Sequence, residues 1–543
     1  MLFNSFEFIF AFLPTTLMVF FLLGRSSRNL ALAWLSVASL FFYAWWRPIN
    51  VLIIAPSVLI NFGLARALLR LSANQEQRRI AQAVLALGIL FNVAFLGYFK
   101  YVNFLFTTLN DVAGTNFVLT QVILPLGISF ITFQKIAFLV DVYGRRVESF
   151  TLREYFLFVL FFPQLIAGPI VHFREMMPQF RQISCRMDVE HLAVGLTLFV
   201  FGLFKKVVLA DSIAGHVTPI YESATAGSVV SFFPSWIAAV GFTLQIYFDF
   251  SGYTDMALGI ARCFGIRLPP NFDSPLKATS IIDFWLRWHM TLTRFLTAYL
   301  YNPLVLWLTR RRMAKGLPGL GGKHPSYSAF FQLLAGPTLL TMFVSGLWHG
   351  AGYLFILWGL LHGVYLTIDH AWRLIGHQLG LSKERSQQVM EPIGFVLTFF
   401  SVVVGMVLFR STTGAGAVML LQGMIGANGI SLPLDIMEHL GPLSQLLHPF
   451  VSASTVQNGQ TFLQASLWVI LLLAIALFPP NSLQMTARYV PALGIQPNPN
   501  DKQTLVRLFE WSPTLPWALL TAALAATTIV QWGGKSEFLY WQF

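Results

Sequence analysis

Two stretches decide the fold: Ser345-Gly-Leu-Trp-His349-Gly-Ala-Gly352 and, upstream, Ser280-Ile-Ile-Asp-Phe-Trp-Leu-Arg-Trp-His289. Each places a tryptophan-flanked histidine inside otherwise apolar sequence. The first runs on into a further apolar segment containing Leu361-His362-Gly363. An ionisable side chain at bilayer depth is costly, so its default reading is a functional site. Two such histidines, separated by a basic loop, read as the reaction centre of a membrane enzyme.

The surrounding composition agrees. Hydrophobic residues make up 56% of the chain and charged residues 11%, more apolar surface than a soluble fold can hide. Apolar runs of about 20 residues, the length that spans a bilayer, recur from end to end. The expectation is an all-α polytopic membrane protein in contact with membrane lipid. The 35 Lys and Arg outnumber the 23 Asp and Glu, giving a net charge of +12. In a membrane protein such an excess marks cytoplasmic loops. The basic residues are dispersed between spans, so no nucleic-acid partner is expected. Cys185 and Cys263 offer neither a disulfide framework nor a metal-cluster spacing. Met1 to Gly24 has no basic leader and no small-residue cleavage site, so it reads as a retained first span.

In chain order, spans are expected at 5–23, 30–46, 49–66 and 80–98. Arg25 and Arg28, then Arg66, Arg70, Arg78 and Arg79, put the loops after the first and third spans in the cytoplasm and the N-terminus outside. Leu124 to Gln134 and Phe161 to Pro169 mix Pro, Gly and polar residues into apolar runs. They are expected to be kinked or re-entrant, because broken helices at depth need protein or a cavity over the exposed backbone. Residues 190–209 form a span ending in Lys205-Lys206 and Asp211. The stretch 230–262 is interrupted by Asp249 and Asp255, which point to different faces of a continuous helix unless Ser251-Gly252 breaks it. Arg310 to Lys323 and 371–392, the latter with Arg373, Lys383 and Arg385, are basic and therefore inner loops. The apolar runs 330–345 and 353–369 between them form a hairpin with His349 at its apex. Spans at 393–409, 464–479 and 514–533 complete one membrane domain covering 1–543, with 411–462 outside and 480–512 inside.

His349 has glycines at 346, 350 and 352, which allow close backbone approach, and Trp348 offers an apolar wall. A histidine bonded to a backbone carbonyl is the plainer alternative. Near neutral pH an imidazole suits general-base work. His289 is shielded by Trp285 and Trp288, one turn and one residue before it, although a packing role at headgroup level also fits. His362, placed with His349 on one helix, falls on nearly the opposite side and reads as structural. Asp249 and Asp255 could fix a histidine tautomer or pair with arginines; an ion pair holding a broken helix is the equal alternative. Cys263 is a small core residue rather than an acyl carrier. No histidine or carboxylate pattern suggests a metal, and no Gly-rich phosphate loop suggests a nucleotide.

The motifs together resemble the membrane-bound O-acyltransferases, specifically the branch of bacterial alginate O-acetyltransferases. Carrying the likeness are Pro125 to Gln134, Phe161 to Ile170, Gly202 to Asp211, Gln245 to Asp255, Phe284 to His289 and Gly346 to Gly350. It runs in order to about residue 370; the spans from about 393 to 543 rest on hydropathy alone. The resemblance implies a ring of tilted helices with broken segments around a central tunnel. It implies His349 as the catalytic residue and His289 as the second active-site position. The donor, acetyl-CoA as a substrate with no bound cofactor, would enter from the cytoplasm. The acceptor would be a periplasmic partner protein or an exopolysaccharide, alginate-like or cellulose-like, reached from a bacterial inner membrane. Arg287, Arg294 and Arg310 to Arg312 suit the donor phosphates, since arginine presents a planar fork of donors. Trp285, Trp288, Trp348 and Asp249 complete the expected substrate contacts. Transfer of D-alanine or another acyl group, transport of a polysaccharide or acyl chain, and a scaffold for a synthase complex are the competing readings.

Overall fold

Inside a bilayer every backbone polar group needs an internal partner, and a helix supplies all of them within one segment. The chain accordingly folds as helices: α1 Glu7–Ser26, α2 Arg28–Ala44, α3 Ile49–Leu71, α4 Arg78–Ala113, α5 Ile128–Tyr143, α6 Leu152–Leu160, α7 Phe173–Gln182, α8 Val189–Thr225 and α9 Phe232–Cys263. They continue with α10 Ile281–Arg287, α11 Met290–Leu296, α12 Asn302–Met313, α13 Tyr327–His349, α14 Tyr353–Gln378, α15 Lys383–Arg410, α16 Gly414–Met424, α17 Gly459–Leu477 and α18 Leu515–Val530. This computed structural model describes residues 1–543 except 119–121, 123, 321–325, 379–382, 448, 455–457, 496–503, 534–537 and 540–543. The predicted loop cation Lys323 lies outside the described residues, as do the side chains of Lys383 and Arg385. Among the described residues, 8 helices are long and apolar enough to cross a membrane. Strand pairing among them is confined to Ser431–Pro433 beside Ser452–Ser454. The protein is an all-α, multi-pass membrane protein, with exposed Phe10, Leu52, Leu90 and Leu467 forming part of its apolar outer surface.

The central element is α9, buried at every residue from Ile237 to Cys263. The break expected at Ser251-Gly252 is absent, and α9 runs through it unbroken. Its glycines serve contact instead. A Cβ on Gly252 would lie 2.7 Å from the Gly202 carbonyl oxygen, and one on Gly259 would lie 2.4 Å from that of Gly195. The reciprocal approach is as tight, so α8 and α9 cross with backbones touching, as small residues permit in membranes.

Nor do Lys205 and Lys206 end a span. They lie within α8, at a π-helical turn (Lys205–Ala210), each facing a carboxylate. Lys205 meets Asp255 at 2.6 Å; Lys206 meets Asp249 at 2.7 Å and Asp211 at 2.8 Å. Consecutive lysines thus reach two α9 carboxylates that leave the helix in different directions. The fourth span is also longer than expected, since α4 has 36 residues and measures about 54 Å at the standard helical rise. That exceeds the hydrocarbon thickness of about 30 Å, so α4 leans or projects beyond it.

The expected irregular segments are present. α5 starts only at Ile128, after Gly127 at φ +70°, where the carbonyl of Leu165 leaves no room for a side chain. Residues Phe161 to Val171 are all buried, yet lack a helix from Phe161 on. Their amides find partners across the fold: Phe162 on Ser39 Oγ at 3.2 Å, Ala167 on the Tyr253 hydroxyl at 3.4 Å and Ile170 on Thr291 Oγ1 at 3.0 Å. Covering protein makes non-helical backbone tolerable there.

Candidate active site

His289 occupies the joint between α10 and α11 with φ +43° and ψ +49°, a left-handed conformation unusual for a residue other than glycine. Asn271 holds the joint: its carbonyl accepts the Met290 amide at 3.0 Å and its side-chain oxygen accepts the Thr291 amide at 3.3 Å. The helix is interrupted at Trp288 and His289, and the imidazole is fully buried.

His349 ends α13, and Gly350 to Gly352 turn the chain into α14. The predicted hairpin is therefore present, with His349 at its apex. Glycine is required at the turn and along the seam. A Cβ on Gly350 would lie 2.2 Å from the Phe355 ring, and one on Gly346 would lie 2.3 Å from the Phe355 carbonyl oxygen. The same break corrects the reading of His362. It belongs to α14, not to the helix of His349, and both imidazoles border Trp358, each with its ring centroid 5.0 Å away.

The two joints bring the histidines together. Their ring centroids are 6.3 Å apart, at 62°. Around them stands an aromatic wall. Trp348 lies 6.0 Å from His289 and 5.0 Å from His349; Phe250 adds an edge at 4.9 Å to His289, and Phe409 one at 5.3 Å to His349. From Trp348 the wall continues through Phe133 (5.2 Å), Phe295 (4.2 Å) and Tyr299 (5.0 Å). It ends in a polar group: the Tyr299 hydroxyl donates to Asp141 at 3.0 Å and meets His172 Nδ1 at 3.0 Å, while Arg146 pairs with Asp141 at 3.1 Å.

The other sequence candidates are placed as follows. Trp285 packs on His362 (5.4 Å) and Trp358 (5.8 Å), and Trp288 stacks on Phe284 (5.6 Å). Arg294 grips Glu175 with two nitrogens, at 2.8 and 3.0 Å, on the rim of the polar group. Arg287 pairs with Asp283 at 2.8 Å and remains one-third exposed. Arg312 is turned inward onto the Pro318 carbonyl, Ser328 and Gln332, whereas Arg310 and Arg311 face out. The carboxylate of Asp249 is held by Lys206 and by the Leu539 amide at 3.0 Å, an arrangement that matches the ion-pair alternative. Cys263 lies against Gly195 in the tight α8–α9 crossing. Among the described residues no group of three His, Cys, Asp or Glu side chains could hold a metal ion.

Sequence reasoning missed Phe250, Phe409, Trp358, Lys100 and Tyr101. Lys100 alone carried a signal, an isolated cation late in a long apolar run. Its amine donates to the carbonyls of Trp348 and, at 3.1 Å, His349, and the Tyr101 hydroxyl donates to that of Leu347 at 2.7 Å.

The chain is similar in sequence to known membrane acyltransferases. The sequence model of the membrane-bound O-acyltransferase family matches residues 17–316, a stretch that includes His289 and stops short of His349. A peptidoglycan O-acetyltransferase of Helicobacter pylori is 38% identical over 460 residues, covering 80% of this chain and 81% of that protein. A probable alginate O-acetylase of Pseudomonas aeruginosa is 37% identical, covering 76% of this chain and 72% of its own. One from Pseudomonas putida is 33% identical over the whole of both chains.

Proposed function

The chain belongs to the membrane-bound O-acyltransferase family, and from that premise we propose that it passes an acetyl group from cytoplasmic acetyl-CoA to a hydroxyl on the periplasmic side of a bacterial inner membrane. The acceptor is a periplasmic partner protein or the exported polysaccharide itself. The observation that carries this reading is the meeting of two buried imidazoles among shared aromatic rings, 6.3 Å apart, inside a multi-pass acyltransferase.

His349, as a neutral imidazole, accepts the proton of the acceptor hydroxyl as its oxygen attacks the thioester carbonyl. His289 donates a hydrogen bond to the oxyanion that develops. The C–S bond then breaks, and the CoA sulfur leaves with the proton held by His349. The acyl group moves directly, and no covalent enzyme intermediate is needed. The thioester arm runs along the wall from Tyr299 to Trp348. Its phosphates meet arginines at the polar end, where Arg146 and Arg174 are exposed, with Arg287, Arg310 and Arg311 as further contacts. Arg294 contributes by holding Glu175, and Arg312 by holding Pro318, Ser328 and Gln332, rather than by binding phosphate. Loop charge supports this sidedness, with Arg25, Arg28, Arg66, Arg70, Arg78 and Arg79 inside and the N-terminus outside. The relatives matched over most of their length are named for acetyl transfer, which favours acetyl over other acyl groups.

Sealed membrane vesicles of both orientations, given labelled acetyl-CoA, test the proposal. Label should reach the acceptor when the cytoplasmic face is outermost and not when it is enclosed. His349→Ala should lose transfer by about 10²–10⁴-fold, the usual contribution of acid–base catalysis, and His289→Ala by about 10²–10³-fold, the usual cost of removing one oxyanion donor. Equal labelling in both orientations, or full transfer by His349→Ala at normal expression, would overturn it.

A further inference from the structure

We propose that Lys100 and Tyr101 are positioning residues for His349, clamping the end of α13 from which the imidazole projects. This rests on His349 being the base. The last carbonyls of any helix lack partners within it, and leaving them bare at membrane depth is costly. Here three consecutive ones are claimed by consecutive residues of a single helix. Lys100 takes those of Trp348 and His349, and Tyr101 that of Leu347. A cation at a helix C-terminus also meets the negative end of the helix dipole.

The grip extends past the bend. The Tyr353 hydroxyl donates to Thr108 at 2.8 Å, and its ring lies 5.0 Å from that of Phe104. Residues 101, 104 and 108 follow helical spacing, so one stripe of α4 holds both arms of the hairpin. Lys100 also stands 5.8 Å from the centre of the Trp348 ring, which borders both histidines. A leucine or methionine at position 100 would suit an apolar helix face better. What the ammonium adds is a fixed attachment for the backbone of Trp348 and His349. Reaction rates are sensitive to such fixing, since a misplacement of about 1 Å can cost about 10²-fold.

The test compares purified Lys100→Met, Lys100→Arg and Tyr101→Phe with wild type and His349→Ala, following kcat and KM for acetyl-CoA and elution as a folded monodisperse species. Lys100→Met should lower kcat about 10–100-fold with KM within twofold, and Lys100→Arg, which keeps the donors, should recover most of the loss. Tyr101→Phe should lower kcat several-fold, and it decides the matter should Lys100→Met not fold. An inactive His349→Ala beside a Lys100→Met, or failing that a Tyr101→Phe, of unchanged kcat overturns this inference alone. A fully active His349→Ala overturns the reading beneath it. A matching rise in KM with kcat intact would make the clamp a binding feature and also sink the positioning role.

Discussion

His289 keeps its backbone in the left-handed region at φ +43°, where an ordinary L-residue is disfavoured by about 1–2 kcal/mol. Asparagine visits that region more readily, and valine, branched at Cβ, scarcely at all. His289→Asn should therefore unfold at or slightly above the wild-type temperature in detergent while losing most of its transfer activity. His289→Val should lose both activity and thermal stability. A stable, active His289→Asn would remove the imidazole from the chemistry. The two Trp-His motifs were legible because a histidine amid apolar sequence is conspicuous. Phe250 and Phe409 were not, since an aromatic residue on a long apolar helix says nothing of which ring it will meet. The role of Asp249 was half legible: the carboxylate was conspicuous, but its partner Lys206 lies on another helix.

At the scale of elements, the α8–α9 crossing depends on backbones that touch at Gly202 with Gly252 and Gly195 with Gly259. Gly252→Ala should lower the unfolding temperature by several degrees and reduce folded yield, because the Cβ would meet backbone that cannot swing aside. Gly63→Ala and Gly97→Ala, which meet nothing within 4 Å, should be neutral or stabilising by about 0.4–1 kcal/mol. Thermal unfolding of the three variants in one detergent checks the contrast, and equal behaviour would refute the crossing. The sequence suggested a break at Ser251-Gly252 because glycine reads as a punctuator. Whether a glycine bends a helix or lets another helix approach is decided by a segment some fifty residues away, which local pattern does not contain. The hairpin of α13 and α14 was legible for the opposite reason. Its turn glycines sit between two apolar runs flanked by basic loops.

At the scale of the whole molecule, interior charge at the α8–α9 crossing comes in paired sets. Lys206 with Asp249 and Asp211, and Lys205 with Asp255, tie the two longest buried helices together. Removing one member of the Lys205–Asp255 pair leaves a charge uncompensated, so Asp255→Ala should cost about 3–5 kcal/mol, and Lys205→Met added to it should restore part of the loss. Folded yield and unfolding temperature measure both; additive losses would show that the pair is not coupled. The cost of placing an ionisable group at membrane depth makes a buried imidazole informative, and it sets the central measurement. Purified wild-type protein and His349→Gln, which keeps a hydrogen-bonding side chain of similar reach but has no basic nitrogen, are compared in lipid nanodiscs for CoA release from acetyl-CoA in the presence of acceptor. The account predicts that His349→Gln binds acetyl-CoA as wild type does and releases CoA at least 10²-fold more slowly. Release at the wild-type rate by a folded His349→Gln would contradict it.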